Sequence, residues 1–140
     1  MSQSKPKTTH KIIGDRGEKF ICDYLAQNQW EIIVTQWHCR YGELDIVAFQ
    51  PSQKIVAFVE VKTRRSQGLD AQGLFAITSA KQRKTIKAAL QFLAESPQYE
   101  KYGCRFDVAL VSYCGNSSDT YQCKLEQYLD AAFEATDFFD

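Results

Sequence analysis

Gly42-Glu43-Leu44-Asp45-Ile46-Val47-Ala48-Phe49-Gln50, followed after Pro51-Ser52-Gln53-Lys54 by Ile55-Val56-Ala57-Phe58-Val59-Glu60-Val61-Lys62-Thr63, decides the fold. Both runs are rich in β-branched and aromatic residues, which suit strands, and the polar break between them reads as a hairpin loop. In the second run Ile55, Ala57, Val59 and Val61 fill one face while Val56 and Phe58 begin the other. A strand apolar on both faces belongs in the middle of a sheet covered on both sides. A four-residue loop sets Phe49 against Val56, Val47 against Phe58, Asp45 against Glu60 and Glu43 against Lys62. One face is then apolar near the turn and ionic at the far end. Two carboxylates facing each other repel unless a cation or a shared proton relieves them. A slip of two residues would put Glu43 opposite Glu60, so the cluster survives either register.

The rest of the chain arranges itself around this hairpin. A strand over 31–40 precedes it, separated by Tyr41-Gly42, and before that a helix is predicted from Asp15 to just short of Trp30. Asp15 and Glu18 have the spacing of a capping box, and Ile21, Tyr24 and Leu25 recur at helical intervals. Residues 64–75, with Gly68 and Gly73, read as a mobile loop. A second helix over 77–94 carries Ile86, Ala89, Leu90 and Leu93 on one stripe, and Pro97 lies just past its end. A buried strand over 105–113, a turn over 115–120 and a strand over 121–128 follow. The predicted organisation is a flexible lead-in (1–12), one domain (13–128) and an acidic tail (129–140). Its class is α/β, with an α-β-β-β-α-β core, a mixed sheet flanked by helices and an appended C-terminal strand.

The 140 residues carry 17 basic and 17 acidic side chains, which excludes a uniformly basic binder of polyanions. The charge is nonetheless segregated: residues 1–105 hold 16 basic and 10 acidic side chains, net +6, whereas 106–140 hold 1 and 7, net −6. No apolar run approaches the ~20 residues of a membrane span, and the polar start has no signal-peptide core, so a soluble, cytoplasmic protein is expected. Five cysteines form no C-x-x-C pair, and two distant histidines, His10 and His38, complete no zinc cluster. Buried free thiols are expected, with Cys114 and Cys123 as the pair that could face each other across a hairpin.

Asp and Glu oxygens suit hard cations, and Mg²⁺ is commonly held by a few carboxylates with waters and a phosphate. Asp45 and Glu60 match that chemistry. Lys62, two residues after Glu60 and on its face, places a positive charge where a phosphorane develops or an attacking water needs orienting. Lys81, Arg83, Lys84 and Lys87 on the second helix, with Arg64 and Arg65 as a closing arm, are candidate phosphate contacts; a solvated helix face is the rival reading. Trp30, Trp37 and Tyr41 receive no role. Asp107 either supports the site or pairs with Arg105.

Gly17-Glu18, Gly42-Glu43-Leu44-Asp45-Ile46-Val47-Ala48, Phe58-Val59-Glu60-Val61-Lys62-Thr63-Arg64 and Arg105-Phe106-Asp107-Val108 together resemble the YraN-type family of uncharacterised, predicted endonucleases. That family is similar in pattern to Holliday-junction resolvases and to the restriction-endonuclease-like PD-(D/E)XK nucleases. The resemblance implies Asp45 and Glu60 as metal-binding carboxylates, Lys62 as the active-site lysine and Glu18 as a helix glutamate joining the metal site. Glu18 keeps its second reading as capping partner of Asp15. Gln36 and His38 depart from the pattern, standing where relatives often show Asn and Arg.

The function expected from these readings is Mg²⁺- or Mn²⁺-dependent hydrolysis of nucleic-acid phosphodiesters, with DNA as the expected substrate and structure-selective cutting within the family resemblance. The alternative is a nucleic-acid-binding module on a nuclease-like scaffold, without turnover. One such site cuts one strand, so symmetric duplex cleavage calls for a homodimer or two separate events.

Overall fold

A computed structural model describes residues 8–66 and 77–133. Its elements run α1 (Thr9–Gln27), β1 (Glu31–Cys39), β2 (Gly42–Gln50), β3 (Ile55–Arg65), α2 (Ser79–Ala94), a 3₁₀ turn (Pro97–Tyr99), β4 (Gly103–Cys114) and β5 (Gln122–Phe133). The strands form one sheet in the order β1-β2-β3-β4-β5. Neighbours are antiparallel except β3 and β4, which are parallel and have α2 as the crossover that parallel pairing requires. The α/β class and the α-β-β-β-α-β order with an appended strand are those read from the sequence.

The two parities of β3 are why the sheet has a helix on each face. Val56 and Phe58 pack with Leu44, Val47, Phe106, Val108 and Leu110 under Ile86, Ala89 and Phe92 of α2. Ala57 and Val59 pack with Ile46, Ala48, Ala109 and Val111 under Ile21 and Leu25 of α1. The predicted hairpin register holds from Gln50 opposite Ile55 to Ile46 opposite Val59. There the β2–β3 ladder stops. Beyond it β2 stays with β1, pairing Leu44 with Trp37 and Glu43 with His38, while β3 continues beside β4 to Arg65 opposite Tyr113. Glu43 therefore lies across from His38 rather than Lys62, with His38 Nε2 3.8 Å from Glu43 Oε1.

Several local expectations are corrected. Helix α1 begins at Thr9, whose predecessor Thr8 accepts the N-cap bond from Lys11 N at 3.2 Å. Asp15 and Glu18 are thus mid-helix residues and no capping box, and residues 9–12 of the expected lead-in are helical. Strand β3 runs through Arg64 and Arg65, which removes both from the loop; residues 67–76 lie outside the described residues. Arg65 Nη1 donates to Gly115 O at 3.2 Å, and its guanidinium lies over the Tyr113 ring. Strand β5 continues to Phe133, which stacks on Phe106, so the tail supplies sheet before residues 134–140 leave the described chain. Cys104 and Cys114 are exposed rather than buried, and Cys123 sits opposite Tyr113, not Cys114.

Asp107 is fully buried and is answered from three sides: Arg105 Nε donates at 3.0 Å, Tyr128 OH at 2.6 Å and Ala131 N at 3.0 Å. This ties β5 to β4 where their register shifts, and burial beside Asp107 pushes the Tyr128 hydroxyl pKa up. Among the described residues no helix is long and apolar enough to cross a membrane.

Gly17 sets how closely α1 approaches the sheet, because a Cβ there would lie 2.0 Å from Thr63 Oγ1 and 3.1 Å from Thr63 Cβ. Alanine gains about 1 kcal/mol of helix propensity over glycine, but overpacking of this kind costs about 1–3 kcal/mol. Gly17→Ala is expected to lower the denaturant midpoint at unchanged slope, and Thr63→Ala added to it to recover most of the loss. A midpoint raised by Gly17→Ala alone would contradict this packing.

Candidate active site

Where β2 and β3 part, the backbone of β3 loses its ladder partner and a side chain replaces it. Val61 N donates to Asp45 Oδ2 at 2.9 Å. This bond holds the Asp45 carboxylate in the gap between the strands. Its charge reaches Glu60 on the α2 side of the sheet and Glu18 on the α1 side.

Glu60 continues the Val56–Phe58 parity and is buried, with 6% exposure. Burial first, and then the neighbouring Asp45 carboxylate, raise its pKa from the usual 4.5 to about 7, against the opposing pull of Lys81 and Lys62. Lys81 Nζ lies 3.6 Å and Lys62 Nζ 3.9 Å from Glu60 Oε1. Both exceed hydrogen-bond length, so these are ion pairs without a fixed geometry.

Glu18 approaches from α1 and is half-buried. Burial, then the Asp45 charge, raise its pKa to about 7, while contact with the Gln36 amide pulls the other way. Its Oε1 is buried with no hydrogen-bond partner, a costly state for a carboxylate oxygen. Gln36 Nε2 donates to Asp15 Oδ1 at 3.0 Å. Gln36 adopts a left-handed backbone with φ +51°, a conformation costing a non-glycine residue about 1–2 kcal/mol and easier for asparagine. This is the position where the resemblance leads one to expect Asn more often than Gln, and the sequence alone gives no reason for it.

The structure therefore brings together four of the expected residues: Asp45, Glu60, Lys62 and Glu18. Of the basic residues it brings in Lys81. Lys84 lies with its Cβ and backbone close to Gly42 at the β1–β2 turn, and Lys87 lies beside Tyr41 and Leu90 further along α2. Arg83 is exposed on α2, and Arg64 Nη1 donates to Thr63 O at 3.0 Å. Trp30 and Trp37 are packing residues, Trp37 edge-on to Phe92. Among the described residues, no group of three or more His, Cys, Asp and Glu is gathered closely enough to enclose a metal ion unaided.

These features define an α/β protein with a carboxylate and lysine cluster where β2 and β3 part, between two helices. The chain belongs to the uncharacterised protein family UPF0102, which its residues 17–111 match. That segment contains every residue of the cluster. A UPF0102 protein of Acaryochloris marina is 47% identical over 113 residues, 76% of this chain and 66% of the relative. One from Synechococcus sp. strain JA-3-3Ab is 43% identical over 129 residues, covering 91% and 95%. Another, from Thermosynechococcus vestitus, is 50% identical over 101 residues, covering 72% and 81%.

The raised carboxyl groups fix a pH dependence for the protein without divalent cations. A carboxyl whose pKa is about 7 when folded and 4.5 when unfolded binds more protons in the native state between those values. Its contribution is favourable below pH 4.5 and is lost as pH rises through 7. In EDTA, stability measured by urea unfolding is expected to fall over this window and to fall less in Glu60→Gln. Parallel curves for the two proteins would contradict the assignment.

Proposed function

We propose that the chain is a divalent-cation-dependent nuclease that hydrolyses phosphodiester bonds of nucleic acid, DNA being the substrate suggested by its motif resemblance. The observation that carries the proposal is the meeting of the Asp45 and Glu60 carboxylates at the fork of the sheet, one of them buried, with two lysines beside the buried one. At neutral pH such a pair needs either a proton or a cation. Oxygen donors of this number suit Mg²⁺ or Mn²⁺, with waters and a substrate phosphate completing the shell. Asp45 and Glu60 would hold the ion, and the unpartnered Oε1 of Glu18 would accept from a water on its shell. When bound, the ion supplies Lewis-acid polarisation of the phosphate and a more acidic water.

The protein's own groups account for the rest. Asp45 is held by Val61 N and so is oriented before substrate arrives. Lys62 places a positive charge on the Glu60 face, where it orients the attacking water and offsets negative charge developing on the phosphate. Lys84 and Lys87, with Arg83 and Arg64, would meet backbone phosphates and contribute affinity without sequence choice. Arg65, engaged with Gly115 and Tyr113, is assigned to holding β3 against β4. Cutting both strands of a duplex would call on a second copy or a second event.

One observation favours the second reading, a binding module without turnover: Lys62 and Lys81 already stand as counter-charges beside Glu60, which answers that carboxylate without a metal. A single assay separates the two. End-labelled single-stranded, duplex, flap and four-way-junction DNA, and RNA, are incubated with Mn²⁺, Mg²⁺ or EDTA. The nuclease reading expects cutting of at least one substrate with metal and none in EDTA. Lys62→Ala is expected to lower the rate by about 100- to 1000-fold, with Asp45→Asn also inactive. Binding without cutting in every metal would favour the module.

A further inference from the structure

The first turn of α2 breaks a local rule. Thr78 is the N-cap, its hydroxyl accepting from Lys81 N at 3.2 Å, which places Lys81 at the third helical position. A threonine cap is commonly completed there by Glu or Gln, which would reach back to the cap N–H, and the helix dipole favours negative charge in this turn. A lysine is unfavourable on both counts. Local rules broken without local compensation mark positions held by something else. Here that something is Glu60, with Lys81 Nζ 3.6 Å from its Oε1.

Lys81 Nζ stands nearer to Glu60 Oε1, at 3.6 Å, than Lys62 Nζ does at 3.9 Å, although Lys62 belongs to the Glu-x-Lys motif. The two lysines are held differently. Lys62 is on the same strand as Glu60, and its side chain is 25% exposed; Lys81 reaches across from α2, and its side chain is 39% exposed. Lys81 is thus the cation that can leave. A buried carboxylate that stays ionised needs a counter-charge, and the pair is too long to be a fixed hydrogen bond.

We infer that Lys81 is the exchangeable counter-charge of Glu60. It neutralises the carboxylate while no divalent cation is present, and it is released to a substrate phosphate once Glu60 is neutralised otherwise. This rests on the nuclease reading of the same site and adds to it a positioning residue that lies outside the carboxylate–lysine motif. Its consequence is a trade: Lys81 opposes metal entry in the free protein and favours phosphate in the loaded one.

The test uses two readouts besides cleavage. Mn²⁺ affinity of the nucleic-acid-free protein is measured by electron paramagnetic resonance for wild type, Lys81→Met and Lys81→Arg. Binding of a labelled four-way junction and a labelled duplex is measured in Ca²⁺ over a salt series. Methionine keeps the apolar stem and removes the charge, and thermal unfolding of each variant checks that the fold is retained. Lys81→Met is expected to bind Mn²⁺ about fivefold more tightly, the size of one partly exposed ion pair, and Lys81→Arg to bind it as wild type does. Lys81→Met is also expected to bind DNA more weakly, with the salt slope reduced by about one. Mn²⁺ affinity unchanged or weakened in a folded Lys81→Met, with wild type binding normally, overturns the exchange and leaves the nuclease reading standing. No Mn²⁺ binding by wild type overturns the nuclease reading and the exchange with it.

Discussion

The hydrogen bond from Val61 N to Asp45 Oδ2 is the point on which the site depends. It marks where an antiparallel ladder ends because its strands follow different partners, β2 turning with β1 and β3 running on beside β4. A backbone donor left there needs an acceptor, and Asp45 supplies it. The same bond fixes a carboxylate in the gap between the strands, within reach of groups on both faces of the sheet. Structural need and chemical placement are met by one side chain.

Everything else at the site follows from charge concentrated at that gap. Glu60 is buried because β3 is central, and it is ionisable at the point where the apolar core ends. Glu18 reaches the gap because Gly17 lets α1 settle directly on Thr63. The lysines enter from two elements, Lys62 from the strand and Lys81 from the far helix. This assembly lacks the closure of a structural site: one carboxylate oxygen has no partner, two carboxyl groups are pushed towards neutrality, and both lysines stand beyond hydrogen-bond length. Such incompleteness raises energy in the free protein and is relieved by a ligand carrying both positive and negative charge, as a hydrated cation on a phosphate does.

Much of this was legible in the sequence because period-2 patterning and turn chemistry are local. The two-faced apolar pattern of 55–61 placed β3 at the centre, and the four-residue loop gave the register that holds from Gln50–Ile55 to Ile46–Val59. That register brings Asp45 near Glu60, although the ladder ends one pair before them and Asp45 turns to Val61 N instead. What was not legible depended on contacts made across the fold. Glu18 could be read as a capping partner because Asp15 stands three residues before it; only the cap at Thr8 removes that reading. The end of the ladder, and with it Glu43 turning to His38, depends on the divergence of two strand pairs, which no local pattern encodes. Lys81 did leave a signal, since Thr78-x-x-Lys81 has lysine where a capping glutamate fits, but its meaning required Glu60 to be seen beside it. Arg65 looked like a loop residue because the strand continues past the apolar run, held by its pairing with β4.

The central claim is that the carboxylates at this fork are arranged for a divalent cation. The most direct measurement is an anomalous difference map from crystals grown or soaked with Mn²⁺ near pH 7.5, collected with wild type and with Asp45→Asn. The account predicts one anomalous peak bounded by the Asp45 and Glu60 carboxylates in wild type and none there in the variant. A well-ordered wild-type map with no peak at the fork, and Glu60 still paired with its lysines at saturating Mn²⁺, would contradict it.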